Sequence, residues 1–391
     1  MAVTIATLQT NFEQRFQVSP QTFYFAPGRI NLIGEHLDYN GGYVLPCAIS
    51  LGTYAAVGKR DDSLMRVYSQ NFADSGIGQI DLQNLQLPAQ ENWLRYVQAM
   101  IQVLVQQGHP LAHGLDILIQ GDLPNSSGLS SSASLELLIG TILNQEFQLQ
   151  IEPEQLARDG QIVENDYLGV NSGMMDQYAI ALGQKDQALL LNTKTLTYEY
   201  VPLQLHDHQI IIMNTNQPRT LAGSQYNQRR KDCETALKIL QQHVKIADLC
   251  DLTPAQLDEY SSLLTQPPLL TRVQHAVSEN QRVLRAKQVL QQGDLNTFGR
   301  LLNASHVSLE QDFEVSGEAL DTLVHAAWQQ GILGARMTGA GFGGCAIALV
   351  PQKQVADFIA QVGQIYQAKM GRSADFYVAQ SAAGPRLIQE G

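Results

Sequence analysis

Charged and hydrogen-bonding side chains are concentrated between residues 27 and 42. The carboxylates of Glu35 and Asp38 can each accept hydrogen bonds from hydroxyl groups, and His36 can donate or accept one. Arg29 keeps its charge at any physiological pH, so it can stabilise negative charge that develops on an oxygen atom. The segment is predicted to bind a small molecule with several hydroxyl groups, and a turn-rich structural loop is the alternative.

The serine-rich run 123–134 is the second candidate site. A helix is predicted to begin near Ser132, because apolar residues then recur at helical spacing. Backbone N–H groups at a helix N-terminus bind anions, and serine hydroxyls can add donors or coordinate Mg²⁺. Taken alone, a serine-rich helix start fits an ordinary N-cap equally well. The loop residues that could contact a phosphate are Ser126, Ser127, Gly128, Leu129, Ser130, Ser131 and Ser132.

One further carboxylate, Asp176, follows two methionines and a glycine. An acidic residue in such apolar company is either the charge at a helix N-terminus or a functional group. Both interpretations fit the residues alone.

The glycine-rich run 337–345 formally matches the dinucleotide-binding pattern GxGxxG. A Rossmann site is rejected here, because the run lies near the C-terminus and the sequence after it has a strand pattern instead of a helical one. The P-loop pattern and the protein-kinase HRD and DFG patterns are absent from the sequence. A nucleotide site would therefore belong to another class.

Composition narrows the function classes. A chain of 391 residues predicts two or three domains, and its net charge of −12 argues against a nucleic-acid partner. The four cysteines are far apart, without CxxC spacing, and we expect reduced thiols. The N-terminal residues do not resemble a secretion signal, and no apolar run reaches the length of a membrane span. We therefore expect a cytoplasmic protein with no membrane partner.

Strand and helix patterns alternate along the chain, which predicts the α+β class. Residues 113–120 alternate as a strand, and 209–213 are predicted to form a buried strand. Helices are predicted near 155–167, 173–181, 224–242, 272–292 and 317–330, and a hairpin over 188–201. A boundary near residue 205 divides the chain into an N-terminal domain, 1–205, and a C-terminal domain, 206–391.

The three motif segments resemble, in order and spacing, those of the galactokinases, within the GHMP family of small-molecule kinases. The resemblance covers most of the chain. Two departures are Leu37, where the family form has threonine, and Ser126-Ser127, where it often has Gly-Ala. The resemblance implies a two-domain fold, with an N-terminal domain like the second domain of ribosomal protein S5 and a ferredoxin-like C-terminal domain.

The same resemblance implies an activity. ATP, with Mg²⁺, would phosphorylate α-D-galactose at its C1 hydroxyl, giving galactose 1-phosphate and ADP, the first committed step of galactose catabolism by the Leloir pathway. Asp176 would be the base and Arg29 would lie at the reacting centre. The residues expected to hold the sugar are Glu35, His36, Asp38, Asp176 and Tyr226. Ser132 and Glu164 would bind the metal, and Ser69 would add a weaker nucleotide contact.

Two other functions share these motifs. A kinase acting on N-acetylgalactosamine would differ in the volume of its pocket near C2 of the sugar. A galactose sensor would bind sugar and ATP without turnover, and the presence of both Arg29 and Asp176 argues against it. The sequence leaves the oligomeric state open, with a monomer plausible.

Overall fold

The computed structural model describes residues 3–85, 92–124, 128–169, 173–217 and 222–390. Its helices are α1 Ile5–Phe16, α2 Leu94–Gln106, α3 Ser131–Glu146, α4 Pro153–Ile162, α5 Met175–Ala181, α6 Ala222–Leu240, α7 Pro254–Tyr260, α8 Leu269–Gln291, α9 Leu295–Gln311, α10 Gly317–Trp328 and α11 Val355–Met370. Its strands are β1 Thr22–Asn31, β2 Tyr43–Val44, β3 Pro46–Lys59, β4 Leu64–Ser69, β5 Gly78–Asp81, β6 Leu115–Gly121, β7 Gln187–Asn192, β8 Tyr198–Pro202, β9 His208–Asn214, β10 Gly334–Thr338, β11 Cys345–Pro351, β12 Asp375–Ala379 and β13 Arg386–Glu390.

The first sheet has its described strands in the order β13-β1-β3-β6-β4-β5. Leu115, Ile117 and Ile119 of β6 are buried in one apolar cluster with Leu138 and Ile142 of α3. Every second residue of the strand and one apolar face of the helix thus pack against each other in one core. The strand predicted over 113–120 and the helix predicted from about Ser132 are confirmed.

Strand β1 changes register between Pro27 and Gly28, where proline has no N–H for the ladder. Strand β13 pairs with β1 only as far as Phe25, so the same edge of β1 is open beyond that point. There the Arg29 N–H donates to the carbonyl oxygen of Leu129 at 3.2 Å. The irregular end of β1 therefore lies directly against the serine-rich segment.

The second large sheet is antiparallel, in the order β10-β11-β9-β12. One of its two central strands, β9, carries the predicted strand 209–213, and residues 210–213 are fully buried. Helices α9 and α10 pack against β10. Strands β7 and β8 form the predicted hairpin, which β2 extends into a small third sheet.

Helices and antiparallel strands occur in both halves of the chain, which confirms the α+β class. The domain boundary near residue 205 falls between β8 and β9 and stays a prediction. Strand β13 returns from the end of the chain to the sheet that contains β1. None of the helices in the described ranges is both long and apolar enough to cross a bilayer.

The structure differs from expectation in several helices. Helices α1, α2, α9 and α11 were not predicted. Helix α1 shows why, because it buries only Leu8, Phe12 and Phe16 within a largely polar stretch. The helix predicted over 155–167 ends at Ile162 and continues as one π-helical turn, Val163–Tyr167.

Candidate active site

A two-pronged ion pair between Arg29 and Asp176 lies at the centre of the site. Nε and Nη2 of Arg29 donate to the two oxygens of Asp176, each at 2.8 Å. Arg29 on β1 is buried, whereas the Asp176 side chain, in the first turn of α5, is 30 % exposed. Bidentate pairing fixes the orientation of both groups. The pair therefore presents an oriented carboxylate to a molecule that approaches from solvent.

Gly128 and Ser130 of the serine loop, residues 122–130, contact this pair. Nη1 of Arg29 donates to the carbonyl oxygen of Gly128 at 2.6 Å, and the Ser130 hydroxyl donates to Asp176. Ser130 has a left-handed conformation, with φ of 61°, which costs a non-glycine residue about 1–2 kcal/mol. Contacts around it must offset that strain, as is common at functional sites.

The serine loop leads directly into helix α3. Leu129 is buried and contributes its carbonyl oxygen to the contact with β1, while Ser131 is the first helical residue. The N–H groups of the first turn of α3 thus begin beside Arg29 and Asp176, where they can bind an anion. Ser126 and Ser127, also predicted as loop contacts, lie outside the described residues.

Ser132 and Glu164, which the family resemblance implies as metal ligands, lie next to each other. The Ser132 hydroxyl donates to Oε1 of Glu164 at 2.9 Å, and Glu164 is buried on the π-helical turn 163–167. A π-helical turn shifts the side chains that follow it and is frequent at functional sites. A hydroxyl and a carboxylate are hard oxygen donors, so this pair suits a hard divalent cation such as Mg²⁺.

An aromatic cleft of about 170 Å³ adjoins the start of α3. The rings of Phe72 and Trp93 are nearly parallel, with centroids 6.4 Å apart and an interplanar angle of 9°. Burial raises the pKa of Tyr96 in the same cleft to about 12. The lining residues that carry polar groups include Thr53, Ser69, Asn71, Ser131 and Ser132. A flat, largely apolar ring system with a phosphate tail matches this combination.

The polar loop, residues 32–42, connects β1 to β2 and supplies Asp38. A Cβ added to Gly173 would lie 2.7 Å from Oδ2 of Asp38, so this carboxylate packs against the backbone just before α5. Burial and the nearby charge of Asp176 raise the pKa of Asp38 to about 6, while Arg230 acts in the opposite direction. The carboxyl groups of Asp38 and Asp176 are therefore close to each other.

Tyr226 on α6 lies beside the two carboxylates. Its ring centroid is 5.6 Å from that of His36 and 5.6 Å from that of Tyr39. Burial, followed by the charge of Asp38, raises the pKa of Tyr226 well above its ordinary value, so its hydroxyl keeps its proton. The structure thus brings Asp38, Asp176 and Tyr226 near one another, a set that offers one hydroxyl donor and two carboxylate acceptors.

Glu35 lies deeper than these residues and is 2 % exposed. Its Oε2 accepts from Asn31 Nδ2 at 2.9 Å and is 2.5 Å from Nη2 of Arg336. Its Oε1 accepts from the Gly339 N–H at 2.9 Å and lies 3.3 Å from the oxygen of the Thr338 hydroxyl, which donates to the carbonyl oxygen of Asn31 at 3.0 Å. Burial raises the pKa of Glu35 to about 7, and Arg336 and the Gly339 N–H oppose that rise. Both oxygens already have protein partners in this structure.

His36 is engaged in a similar way. Burial lowers its pKa to about 3, so the imidazole is neutral. Its Nε2 is 3.2 Å from the carbonyl oxygen of Ala340, which can only accept, so Nε2 carries the proton. Nδ1 then accepts from the Tyr39 hydroxyl at 2.8 Å. His36 therefore ties the polar loop to the glycine loop, residues 339–344.

Comparison with known proteins decides the family. Residues 10–59 match the family model of the galactokinase galactose-binding signature. Residues 95–184 and 286–367 match the models of the GHMP kinase N-terminal and C-terminal domains. A galactokinase of Levilactobacillus brevis is 52 % identical over 97 % of this chain and 98 % of its own length. The chain belongs to the galactokinase family.

Other galactokinases agree with this assignment, and a more distant kinase shares the fold. A galactokinase of Lacticaseibacillus paracasei is 53 % identical over 96 % of this chain and 97 % of its own length. The crystal structure of Lactococcus lactis galactokinase complexed with galactose has a TM-score of 0.93 and 46 % identity, covering 98 % of this chain and all of that one. A mevalonate kinase of Methanococcus jannaschii, at 16 % identity, covers 93 % of this chain and 98 % of that one with a TM-score of 0.71, and shares the fold.

Sequence reasoning missed several residues of this galactokinase-family site. The aromatic groups Phe72, Trp93 and Tyr96 line the cleft but belong to no motif. Trp93 is one of two tryptophans in the chain, and that rarity was the available signal. Arg336 was missed as well, because it precedes the glycine loop in a strand that looked purely structural.

Proposed function

We propose that this protein is a galactokinase that transfers the γ-phosphoryl group of ATP to the C1 hydroxyl of α-D-galactose. The products are ADP and galactose 1-phosphate. The observation that carries the proposal is the position of the Arg29–Asp176 pair. It lies between Asp38 and Tyr226 on one side and the N-terminus of α3 on the other. The galactose-binding signature matched over residues 10–59 supports the choice of sugar.

The substrates are assigned to sites by their chemistry. The adenine ring suits the aromatic cleft, and the phosphates suit the N–H groups at the start of α3. Galactose hydroxyls would donate to Asp38 and accept from Tyr226, with Asp176 at the C1 hydroxyl. We keep Glu35 and His36 as sugar-binding candidates, although in this structure their polar atoms hold the polar loop against the glycine loop.

Asp176 is proposed to accept a hydrogen bond from the C1 hydroxyl and to receive its proton as the phosphoryl group is transferred. Arg29 fixes the orientation of Asp176 and adds positive charge beside the transferring group, where negative charge must be stabilised. The Ser130 hydroxyl holds Asp176 from the other side. Positioning and electrostatics carry most of the catalysis in phosphoryl transfer, so these fixed groups suit the reaction.

Ser132 and Glu164 are the residues proposed to hold Mg²⁺. When bound, the cation would neutralise charge on the β- and γ-phosphates. The chain's own contribution is to keep the Ser132 hydroxyl and the Glu164 carboxylate 2.9 Å apart at the start of α3. Four free thiols fit a reducing compartment, and we propose the cytoplasm as the location.

A substrate panel tests the proposal. ADP release is measured with Mg²⁺-ATP and galactose, N-acetylgalactosamine, glucose, talose, mevalonate or homoserine. We expect fast turnover with galactose and slow or no turnover with mevalonate and homoserine. Turnover confined to N-acetylgalactosamine would contradict the proposed substrate, and galactose-dependent thermal protection without turnover would indicate a sensor.

A further inference from the structure

Glu136 on helix α3 lies one turn after Ser132, so the two side chains share a face of the helix. The residue is completely buried. Its Oε2 accepts from Nε2 of Gln177 at 3.4 Å, a long contact. Its Oε1 has no hydrogen-bond partner among the described residues.

The surroundings of Glu136 are unusual for a buried acid. Burial raises the pKa of the Glu136 carboxyl well above its ordinary value, and the negative charges of Glu164 and Asp176 raise it further. None of the charged groups that act most strongly on Glu136 is a cation. A Cβ added to Gly160 would lie 3.2 Å from Oε2 of Glu136, so this side of the carboxylate is closed by backbone.

A buried carboxylate without a counter-charge is costly, and a native structure that keeps one needs a reason such as a bound ion. Arginine or lysine would normally compensate two adjacent buried acids. Here the Ser132 hydroxyl, on the helical turn before Glu136, already donates to Glu164. A divalent cation would supply the missing positive charge and would use the free oxygen.

We propose that Glu136 is a third anchoring group of the divalent-cation site, so that the site contains one hydroxyl and two carboxylates. The inference rests on the proposed function, which places the cation at Ser132 and Glu164. The carboxylate of Glu136 contacts the cation directly or through one bound water molecule. Helix α3 then contributes both its N-terminal N–H groups to phosphate and a negative charge to the cation.

The test is a Mn²⁺ titration of the full-length protein followed by electron paramagnetic resonance. Wild type is compared with Glu136→Gln, which keeps the size of the side chain and removes its charge. The titration is done twice, once without nucleotide and once with a non-hydrolysable ATP analogue. We expect Glu136→Gln to weaken Mn²⁺ binding at least tenfold in the presence of the analogue, with Glu164→Gln weakening it further.

Asp159→Asn is the matched control. Asp159 is also fully buried, its Oδ2 lacks a hydrogen-bond partner among the described residues, and its Oδ1 accepts from Gln107 and Gln155. It lies on α4, and we expect its variant to keep the wild-type Mn²⁺ affinity. An equal loss in both variants would indicate a general effect of removing a buried charge and would overturn the proposal.

Wild-type Mn²⁺ affinity in Glu136→Gln, with weaker binding in Glu164→Gln, would also overturn it. If Glu136→Gln fails to fold, anomalous diffraction from Mn²⁺-soaked wild-type crystals decides, because the metal must then lie beside Glu136 or one water away. Galactose-dependent ADP release by the wild type tests the proposed function separately. A wrong assignment of Glu136 to the cation site is therefore distinguishable from a wrong assignment of the activity.

Discussion

At the scale of single residues, the central feature is a carboxylate that is held and yet accessible. Asp176 accepts from Arg29 twice and from Ser130 once, and 30 % of its side chain stays exposed. Such fixed groups act on a reacting hydroxyl without reorganising during the reaction. The polar groups that would bind sugar surround this carboxylate but do not hold it.

Asp176→Asn should separate catalysis from binding. The amide keeps the size of the side chain but cannot take a proton from the C1 hydroxyl, and general-base catalysis contributes about 10²–10⁴-fold. We therefore expect kcat to fall by at least about 10²-fold, while galactose still raises the midpoint of thermal unfolding. A variant with near-normal turnover would refute the role of Asp176 as a base.

Asp38→Asn tests whether the buried charge of Asp38 lowers the stability of the folded protein. Folding raises the pKa of Asp38 to about 6, so its charged form destabilises the native state as pH rises through that value. Removing the charge should stabilise the free protein at pH 8 by about 1–3 kcal/mol, with no gain near pH 3, below the pKa of Asp in the unfolded chain. Thermal unfolding of both proteins across this range measures the difference.

The same Asp38→Asn protein should lose most of its thermal protection by galactose, because a carboxylate acceptor has been replaced. A stability difference that does not change with pH would show that Asp38 is not the titrating group. Such a gain in stability with a loss of function is typical of binding sites that keep buried charge.

At the scale of elements, the glycine loop holds both the polar loop and the serine loop. Gly339 donates to Glu35, Ala340 accepts from His36, and a Cβ on Gly339 would lie 3.1 Å from the carbonyl oxygen of Gly128. That carbonyl oxygen is also the acceptor for Nη1 of Arg29. One loop therefore positions groups of both substrate sites.

Gly339→Ala should lower activity through this contact. The backbone at Gly339 has φ of 84°, and the added methyl would push against Gly128. We expect kcat/KM to fall about tenfold or more, equivalent to about 1.4 kcal/mol in the transition state. Gly331→Ala is the control, because its φ is 66° but no atom lies within 4 Å of the added Cβ. Equal kinetics in the two variants would contradict the packing argument.

Motif segments with dense polar residues were predictable from sequence, because their chemistry is visible in the residue types. The metal-binding role of Ser132 and Glu164 followed from the family resemblance and stays a prediction, and the structure places the two side chains within hydrogen-bond distance. The burial of Glu35 was not predictable, because it depends on Arg336 and Thr338, about 300 residues away. The aromatic cleft was missed for the same reason, since Phe72, Trp93 and Ser132 come together only in the folded chain.

At the scale of the whole molecule, the candidate site lies where the two large sheets meet. Nη1 of Arg336 in β10 donates to the carbonyl oxygen of Leu32 at 2.9 Å, and the Thr338 hydroxyl donates to that of Asn31 at 3.0 Å. The end of β1, which carries Arg29, is thereby fixed to the other sheet. Galactose bound beside Asp176 would contact elements that both sheets support.

The position of the phosphate on the product tests this account most directly. The wild-type protein is incubated with Mg²⁺-ATP and galactose, and the product is examined by ³¹P and ¹³C nuclear magnetic resonance. Our account predicts one product, α-D-galactose 1-phosphate, with phosphorus coupled to C1. A phosphate on any other carbon, or no phosphorylated sugar at all, would contradict the assignment of Arg29 and Asp176 to the C1 hydroxyl.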